Sequence, residues 1–439
     1  MRAAPPTPST PRCPPRYTGA MNGSGNDGAI VFDDGLADLG PMTDLRPACL
    51  VRTGALTTLE RIDRTINAPI AGLFVPDALA AITRELIELP VNDAAAALRR
   101  AGAGSPEGVL FVSGRCLLPA HDIADLPVGR VIVEEATGHV IAARLNDADA
   151  RAFIGCWEAP AGATVTRTAT PCLAHRPWDV IRLRDATIAH DLALLAHSPT
   201  QDLPPGVLSL GEHELTIAPD ATVYPTAVLD LEHGPIVIER GAVVRPGAVI
   251  CGPAYIGPDC RVIDHALVKA NTALGPTTRV GGEVGGTIFQ GFANKVHEGH
   301  LGDSWVGEWA NLGAGTTNSN LLNTYSEVIA RAAHGRGRER TGLVFYGCVV
   351  GDHVKLAIGT RIMTGAVIGT GTMVSRSAPV TDALGAFRWA TDEGEKPFRF
   401  TKFMEVARAS MARRGKEPSA AIEGRLHEIA GASSDRDAT

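Results

Sequence analysis

The sequence predicts a two-part protein, with an α/β sheet domain followed by a parallel β-helix built from hexapeptide repeats. Three observations carry this prediction: an aliphatic residue at every sixth position of the second half, a small residue two positions before most of these, and alternating strand and helix patterns over residues 29–197. A period of six fits neither a helix nor a single strand. It fits a three-faced solenoid, in which each hexad supplies one short strand and one corner.

The aliphatic residues of the hexads are predicted to point into the β-helix, and the small residues to fit its corners. The aliphatic series is Ile238, Val244, Ile250, Ile256, Val262, Val268, Leu274 and Val280, then Val306 and Leu312, then Val344, Val350, Leu356, Ile362, Ile368, Val374 and Val380. Its phase breaks at residues 284–300 and again at 318–342. Because a loop extruded from a solenoid often carries function, we expect functional residues near these breaks.

The first half has the pattern of a mixed sheet with helices. Strands are predicted at "AIVFDD", "IAGLFV" and "GVLFVSGRCLL", with a hairpin over residues 129–145 and helices near 57–64, 77–88 and 177–196. The predicted organisation is a disordered segment at 1–28, the α/β domain at 29–197, a linker at 198–211, the β-helix at 212–382 and a helical tail at 383–439. Met21 is an alternative start, and the helices of the tail are expected to cover the open end of the β-helix.

Composition excludes several classes of protein. A length of 439 residues favours two or more domains, and a net charge of −7 gives no basic surface for nucleic acid. No apolar run approaches the roughly 20 residues of a membrane-spanning helix, so we expect no membrane insertion. The eight cysteines are scattered without a CxxC pair, which favours buried thiols in a reducing compartment such as the cytoplasm.

The segment "HEGHLGDSWVGEWANLGAGTTNSN" at 297–320, together with the repeats, resembles the acetyltransferase domain of the bifunctional GlmU enzymes, which make UDP-N-acetylglucosamine. The chain also resembles a GlmU-like group of sugar nucleotidyltransferases over residues 29–415, through "FDD" and "RPACLVRTGALTTLERI". The resemblance implies a left-handed β-helix and a homotrimer. It also implies transfer of an acetyl group from acetyl-CoA to an amino-sugar phosphate or nucleotide sugar, in the synthesis of cell-envelope precursors.

The resemblance assigns roles to residues of the β-helix. His297 aligns with the catalytic base, and an unperturbed imidazole pKa of about 6.5 suits proton transfer from an amine. Asn311 and Asn320 align with active-site and sugar-binding amides. Arg245, in "VRPGAV", aligns with a ligand of phosphate or sugar. The remaining assigned residues are Gly313 and Gly315, which would let the backbone approach CoA closely, and His300, a substrate-binding candidate that stands where the family has a tyrosine.

The first half departs further from the nucleotidyltransferase pattern. The glycine-rich GxGTR loop that holds nucleotide phosphates is replaced by "FDDGLADLG", and Arg46 replaces the lysine of the later signature. Arg115 occupies the position of the magnesium-binding aspartate, and a guanidinium cannot bind a divalent cation. Either Asp33 or Asp34 holds Mg²⁺ for an NTP, or this half no longer transfers a nucleotidyl group. Arg46 and Arg52 are weak candidates for nucleotide binding, and the metal ligands are unknown.

Two other functions remain open on the sequence alone. A trimeric scaffold could bind a sugar nucleotide without turnover, as Arg115 and the missing glycine-rich loop suggest. A zinc hydratase of the γ-carbonic-anhydrase type uses the same solenoid, and its ligands would come from His265, His297, His300 and His353. Structural roles are also available to the candidates, since histidine and asparagine occur at corners and aspartate at strand ends.

Overall fold

A computed structural model describes residues 28–66, 68–196, 199–200 and 202–437. It shows an N-terminal α/β domain, a parallel β-helix and two C-terminal helices, which confirms the predicted fold class. Apart from Gly28, the segment predicted to be disordered lies outside the described residues, as does the alternative start at Met21.

The N-terminal domain is built on a six-stranded mixed sheet in the order β2-β1-β3-β5-β4-β6. Its strands are β1 (Ala29–Phe32), β2 (Ile70–Phe74), β3 (Val109–Ser113), β4 (Arg130–Glu134), β5 (Val140–Leu145) and β6 (Thr164–Thr168). β1 lies between β2 and β3 and pairs in parallel with both, and the predicted hairpin is the antiparallel pair β4–β5. All residues of β1, β2 and β3 are buried, as expected for strands covered on both faces.

Five helices and three 3₁₀ turns complete this domain. The helices are α1 (Thr58–Ile66), α2 (Asp77–Leu86), α3 (Ala94–Arg100), α4 (Asp147–Phe153) and α5 (Pro177–Leu195), and the turns are Gly40–Thr43, Ala48–Leu50 and His121–Asp125. α5 begins at a proline, which lacks the N–H that a first turn leaves unbonded. The side chain of Asp179 accepts hydrogen bonds from the backbone N–H groups of His175 and Arg176, and so caps the same end.

The β-helix has three faces, each a ladder of short parallel strands. The first face comprises Leu208–Leu210, Val228–Asp230, Val249–Cys251, Leu267–Val268, Glu283–Gly285 and His300–Gly302, and the pair Thr317–Asn318 with Arg361–Ile362 lies beyond it. The second comprises Leu215–Ile217, Ile236–Ile238, Ala254–Ile256, Thr272–Leu274, Ile288–Phe289, Trp305–Val306, Cys348–Val350, Ala366–Ile368 and Ala383–Leu384. The third comprises Thr222–Val223, Val243–Val244, Arg261–Val262, Arg279–Val280, Asn294–Lys295, Asn311–Leu312, Lys355–Leu356, Met373–Ser375 and Arg388–Thr391, with Gly394–Pro397 antiparallel at its end.

The hexad pattern is confirmed by the interior of the coil. The aliphatic series from Ile238 to Val380 forms one continuous buried core, and the corner residues Ala242, Ala248 and Cys260 are also fully buried. Val344 is the exception, with 41% of its surface exposed. Its position fits the six-residue spacing. It lies, however, in the connection between the hairpin strand Arg338–Arg340 and the next strand of the coil, Cys348–Val350, and is therefore outside the core.

The two breaks of the hexad phase have different causes. At residues 284–300 the prediction of an extruded loop is wrong, because the coil continues through Glu283–Gly285, Ile288–Phe289 and Asn294–Lys295. This coil is three residues short, since Val280 pairs with Lys295 rather than with a residue 18 positions on. At the second break a hairpin of Ile329–Arg331 and Arg338–Arg340 does leave the coil.

The N-terminal domain packs against the second face of the β-helix. From the second coil onward the outward side chains of that face are apolar: Val237, Tyr255, Ala273, Ile288, Trp305, Val349 and Val367. They share one buried cluster with the loop around Met42 and Val51 and with Trp178 and Ile188 of α5. A strand buried on both faces is apolar on both, which explains the apolar outward residues from Val237 to Val367.

The C-terminal segment forms α6 (Phe400–Ala412) and α7 (Ala420–Asp437). Phe403 of α6 contacts Phe387 of the last coil, with ring centroids 4.7 Å apart, and Leu426 of α7 joins the same buried cluster. This cluster also contains Ile82 of α2, so the tail connects the end of the β-helix with the first domain. None of the helices within the described residues is both long and apolar enough to cross a membrane.

Candidate functional site

His297 lies on an exposed corner between the third and first faces. Within the described residues its imidazole has no hydrogen-bond or ion-pair partner, so both ring nitrogens are available to a ligand. The corner fits tightly between neighbouring coils, because a Cβ on Gly299 would lie 2.2 Å from the carbonyl oxygen of Thr316. The backbone that carries His297 is therefore held in place, while its side chain is free.

Lys295 points into the β-helix directly before this corner, and sequence analysis missed it. It occupies the inward position of its coil, paired with Val280, and only 1% of it is exposed. Its Nζ donates to the carbonyl oxygens of His297 at 2.8 Å and Gly281 at 3.0 Å. Burial lowers its pKa to about 8, although the charges of Glu298 and Glu283 act in the opposite direction. The buried amine thus fixes the backbone of His297.

Lys295 makes the stability of the protein depend on pH. Below about pH 8 the lysine is charged in both the folded and unfolded chain, and the folded state carries the full cost of burying that charge. Between about pH 8 and 10.5 only the unfolded chain holds the proton, so stability rises with pH. We expect wild type to gain roughly 2 kcal/mol over Lys295→Met between pH 7.5 and 9.5. Urea unfolding of both proteins at pH 7.5, 8.5 and 9.5 measures the difference. The titration of Lys355 contributes equally to both proteins and therefore does not affect that difference. Parallel pH profiles would contradict a buried cation at residue 295.

His300 lies three residues beyond the corner, on the first face. Its Nδ1 is 3.4 Å from Oε1 of Glu283, which also accepts from Nζ of Lys269 at 3.3 Å. Its Nε2 points over Gly302, where an added Cβ would lie 2.6 Å from that nitrogen and 2.8 Å from Nδ2 of Asn320. The absence of a side chain at Gly302 therefore leaves a small gap between an imidazole and an amide.

Asn320 is oriented by a relay that begins in the other domain. Its Nδ2 donates to Oδ2 of Asp303 at 2.6 Å, and Oδ1 of Asp303 accepts from Nη1 of Arg184 at 2.6 Å. Arg184 extends from α5 and also donates to the carbonyl oxygen of Gly286 at 2.6 Å. Asp303 and Arg184 were missed, because no local pattern connects residues 119 positions apart. The structure thus brings His300 and Asn320 together, three residues from His297.

Asn311 and the two glycines lie apart from that gap. Asn311 is exposed on the third face, in the ladder between Asn294 and Lys355. A Cβ on Gly313 would lie 2.6 Å from the carbonyl carbon of Ala357, so this glycine lets two coils approach. Gly315 has φ +70° at the corner beside the His297 turn, a conformation that favours glycine. Their roles toward sugar and CoA stay predictions.

Arg245 lies at the same corner as His297 but three coils earlier, a separation of about 14 Å at the usual strand spacing. Its guanidinium pairs with Asp264, Nη2 to Oδ1 at 3.2 Å, and stacks over the ring of Tyr224 at 4.7 Å. The side chain is exposed on the first coils. The structure does not bring Arg245 together with His297 or His300.

The four histidines of the zinc alternative occupy separate places. His265 sits at the corner two coils before His297, and its Nδ1 would meet a Cβ on Gly247. His353 is buried at the opposite corner, stacked on Trp309, and burial lowers its pKa to about 3. Throughout the part of the chain that the structure describes, no three His, Cys, Asp or Glu side chains gather as metal ligands.

In the N-terminal domain, Arg115 fills the position at the end of β3 where the resembling enzymes hold magnesium. Its Nε and Nη2 donate to the two carboxylate oxygens of Asp34, at 2.8 and 2.6 Å. Nη1 of Arg115 lies 3.2 Å from Nδ1 of His175, and Nη2 lies 3.2 Å from Nδ1 of His139. Nε2 of His175 in turn lies 2.6 Å from Oε2 of Glu134. The site is a closed ion-pair network. It does not fit a divalent cation, because Arg115 occupies the oxygens that Asp34 would offer.

The other weak candidates of this domain make structural contacts. Asp33 accepts from the backbone N–H groups of Ala48 at 2.8 Å and Gly35 at 3.1 Å, and burial is the main cause that raises its pKa. Arg46 forms two hydrogen bonds with the carboxylate of Asp352, at 3.0 and 2.9 Å. The backbone N–H and Nε of Arg52 both donate to Gln290 of the β-helix. Both arginines therefore connect the two domains, and nucleotide binding by any of the three stays a prediction.

Comparison with known proteins finds relatives for parts of the chain. The family model of sugar nucleotidyl transferases matches residues 29–200. The bifunctional protein GlmU of Heliobacterium modesticaldum is 24% identical over 180 residues, which is 37% of this chain and 36% of that protein. GlmU of an Exiguobacterium strain is 29% identical over 179 residues, which is 40% of this chain and 35% of that protein. The chain thus spans about a third of the length of these relatives.

Among solved structures, the chain is similar to UDP-N-acetylglucosamine acyltransferase of Francisella novicida, at 14% identity and a TM-score of 0.25, over 46% of this chain and 73% of that one. It is also similar to a hexapeptide transferase family protein of Anaplasma phagocytophilum, at 13% identity and a TM-score of 0.20, over 51% and 96%.

The match to sugar nucleotidyl transferases thus covers the sheet domain, and the hexapeptide β-helix follows it along the chain. Part of the chain is thus similar to bifunctional GlmU proteins, and residues 29–200 match the model of sugar nucleotidyl transferases.

Proposed function

We propose that this protein transfers an acetyl group from acetyl-CoA to the amine of an amino-sugar phosphate or nucleotide sugar, with His297 as the base. The observation that carries the proposal is the unpartnered imidazole of His297, on a rigid corner three residues from the His300–Asn320 gap. A base must reach its proton, and catalytic side chains on rigid elements keep that geometry. The resemblance at 297–320 supports the same assignment.

The proposed chemistry is an acyl transfer with one proton relay. The amine nitrogen of the acceptor attacks the thioester carbonyl carbon, and the imidazole of His297 takes the amine proton. The C–S bond then breaks, an amide forms, and CoA leaves with the proton returned from the imidazolium. Asn320, oriented by Asp303, would hold a polar group of the acceptor, and His300 would contact its other side. Proton transfer of this kind contributes about 10²–10⁴-fold to a rate.

Assembly and location complete the proposal. A homotrimer would bring a second subunit's coil beside the exposed His297 corner, as the resemblance implies. The first face and the part of the third face that α6 leaves uncovered remain for that contact, because the second face is covered by the N-terminal domain. The location we propose is the cytoplasm. The seven described cysteines are all free, as expected in a reducing compartment.

The test is release of thiol from acetyl-CoA with glucosamine 1-phosphate and a panel of amino-sugar nucleotides. We expect turnover with at least one acceptor, and a loss of about 10²-fold or more in His297→Ala. His265→Ala is the matched control, because it removes a histidine from the same corner two coils earlier. Equal loss in both variants, or full activity of His297→Ala, would contradict the assignment.

A second function is favoured by the Arg115–Asp34 ion pair. A domain whose metal position is closed could still bind a sugar nucleotide without transferring it, so that the chain acts as a binding scaffold. On this alternative the protein binds nucleotide sugars but releases no pyrophosphate from any NTP with a sugar 1-phosphate and magnesium. Pyrophosphate release by wild type would instead show that this domain is a nucleotidyltransferase.

A further inference from the structure

A cleft of about 390 Å³ lies between the C-terminal half of α6 and the third face of the β-helix. We call it the α6 cleft. It is lined by four cationic side chains and two amides, from Arg279, Lys355, Arg413, Arg414, Asn294 and Asn311. A volume of this size is within the range of small-molecule sites.

No carboxylate neutralises these cations. Within the described residues, none of the four forms an ion pair with an aspartate or glutamate. Arg414 has only 8% of its surface exposed, and its Nη2 donates to Oδ1 of Asn294 at 2.9 Å. Nζ of Lys355 donates to the carbonyl oxygen of Trp309 at 2.5 Å. Buried charges in proteins are ordinarily paired, yet the nearly buried Arg414 has no carboxylate partner among the described residues.

Several arginines elsewhere in the described residues do have carboxylate partners. The arginines of the inserted hairpin, although exposed, all have carboxylate partners: Arg331 and Arg338 with Asp382, Arg336 with Asp38, and Arg340 with Glu327. Arg408, on α6 itself, pairs with Glu423. The chain has more carboxylates than basic side chains, with a net charge of −7. None of the residues that line the α6 cleft is an aspartate or glutamate.

The mutual repulsion of the cleft cations also affects their protonation. Burial and the nearby Arg279, Arg413 and Arg261 lower the pKa of Arg414 to about 10. Burial lowers the pKa of Lys355 to about 8. A bound anion would reverse both effects, because an opposite charge within about 4–6 Å favours the charged form.

We propose that the α6 cleft binds a phosphate-bearing anion with two or more negative charges. Arginine suits this ligand because its planar N–H groups match phosphate oxygens, and the two asparagine amides add neutral donors. The phosphates could belong to a sugar phosphate or to CoA, which share this chemistry. The site is separate from the His297 corner, because Phe292 and Trp309 place the cleft at the opposite edge of the third face.

The test is a calorimetric titration of the full chain with inorganic pyrophosphate, in the absence of any acyl donor. Its outcome is therefore independent of acetyl transfer. We expect binding that weakens with added salt, and affinities at least about tenfold lower in Arg413→Ala and Arg414→Ala. Arg408→Ala is the control on the same helix and should bind as wild type does. Absence of binding, or equal affinity in all four proteins, would overturn the proposal.

A second variant tests the proposal even if Arg414→Ala fails to fold. Ser410 lines the cleft, and Ser410→Glu would supply a carboxylate from within the chain. We expect this variant to lose pyrophosphate binding and to melt at a higher temperature than unliganded wild type. A lower melting temperature with unchanged binding would contradict the proposal. Parallel titrations with glucosamine 1-phosphate, CoA and 3′-dephospho-CoA identify the source of the phosphate by the tightest binder.

Discussion

Arg46→Ala is expected to lower the free energy of unfolding by about 3–5 kcal/mol, because it leaves the buried carboxylate of Asp352 without its partner. Both side chains are almost fully buried, and both oxygens of Asp352 accept from the guanidinium. The nearby Asp44 adds to the cost, since burial already raises its pKa to about 6 and loss of Arg46 would raise it further. Urea unfolding monitored by tryptophan fluorescence measures the effect.

The matched control is the double variant Arg46→Met with Asp352→Asn. It removes both charges but keeps an oxygen at residue 352 for the backbone N–H of Glu308, which donates to it at 2.7 Å. We expect this protein to recover most of the loss, because replacing both charged partners by neutral groups costs far less than removing one. A single variant within about 1 kcal/mol of wild type would show that Asp352 finds another partner.

Trp305→Ala is expected to cost about 3–5 kcal/mol, the usual loss for a large aromatic side chain deleted from a core. Trp305 is fully buried on the outward side of the second face, between the β-helix and the N-terminal domain. Its Nε1 donates to the carbonyl oxygen of Arg52 at 3.0 Å. Deletion therefore opens a cavity and leaves a backbone acceptor unbonded at the contact between domains.

Two variants separate these contributions. Trp305→Phe keeps most of the volume and loses the hydrogen bond, so about 1–2 kcal/mol is expected. Trp389→Ala removes a partly exposed tryptophan of the last coil, where Nε1 donates to Oγ of Ser375 and Lys396 lies over the ring. Its cost should be well below that of Trp305→Ala. Similar losses at residues 305 and 389 would contradict a dominant role for the domain contact.

The fold was predictable because its signals are local. Each coil repeats one inward residue and one corner, so counting along the sequence identifies the core. The same counting failed at Lys295, because a coil three residues short moved this lysine into the inward position that Val280 predicts. A single coil of a different length was therefore enough to conceal the inward position of Lys295 from the sequence pattern.

The site was predictable only where one segment supplies it. His297, His300 and Asn320 come from a single stretch that carries the family resemblance. Arg184 and Asp303 do not, since their contact joins two domains and depends on the angle at which α5 crosses the second face. The sequence also identified Arg115 as a departure from the metal-binding pattern, but only the structure shows that Asp34 is its partner.

The contact between Arg46 and Asp352 spans 306 residues of chain, and this has a consequence during synthesis. The ribosome makes the N-terminal domain first, with the apolar surface around Met42 and Trp178 still uncovered. At about 5–20 residues per second, the coil that carries Asp352 follows about 10–35 s after Trp178 is made. During that time this apolar surface is exposed to solvent and can associate with other chains. Chaperones that bind exposed apolar surfaces should therefore raise the yield of folded protein.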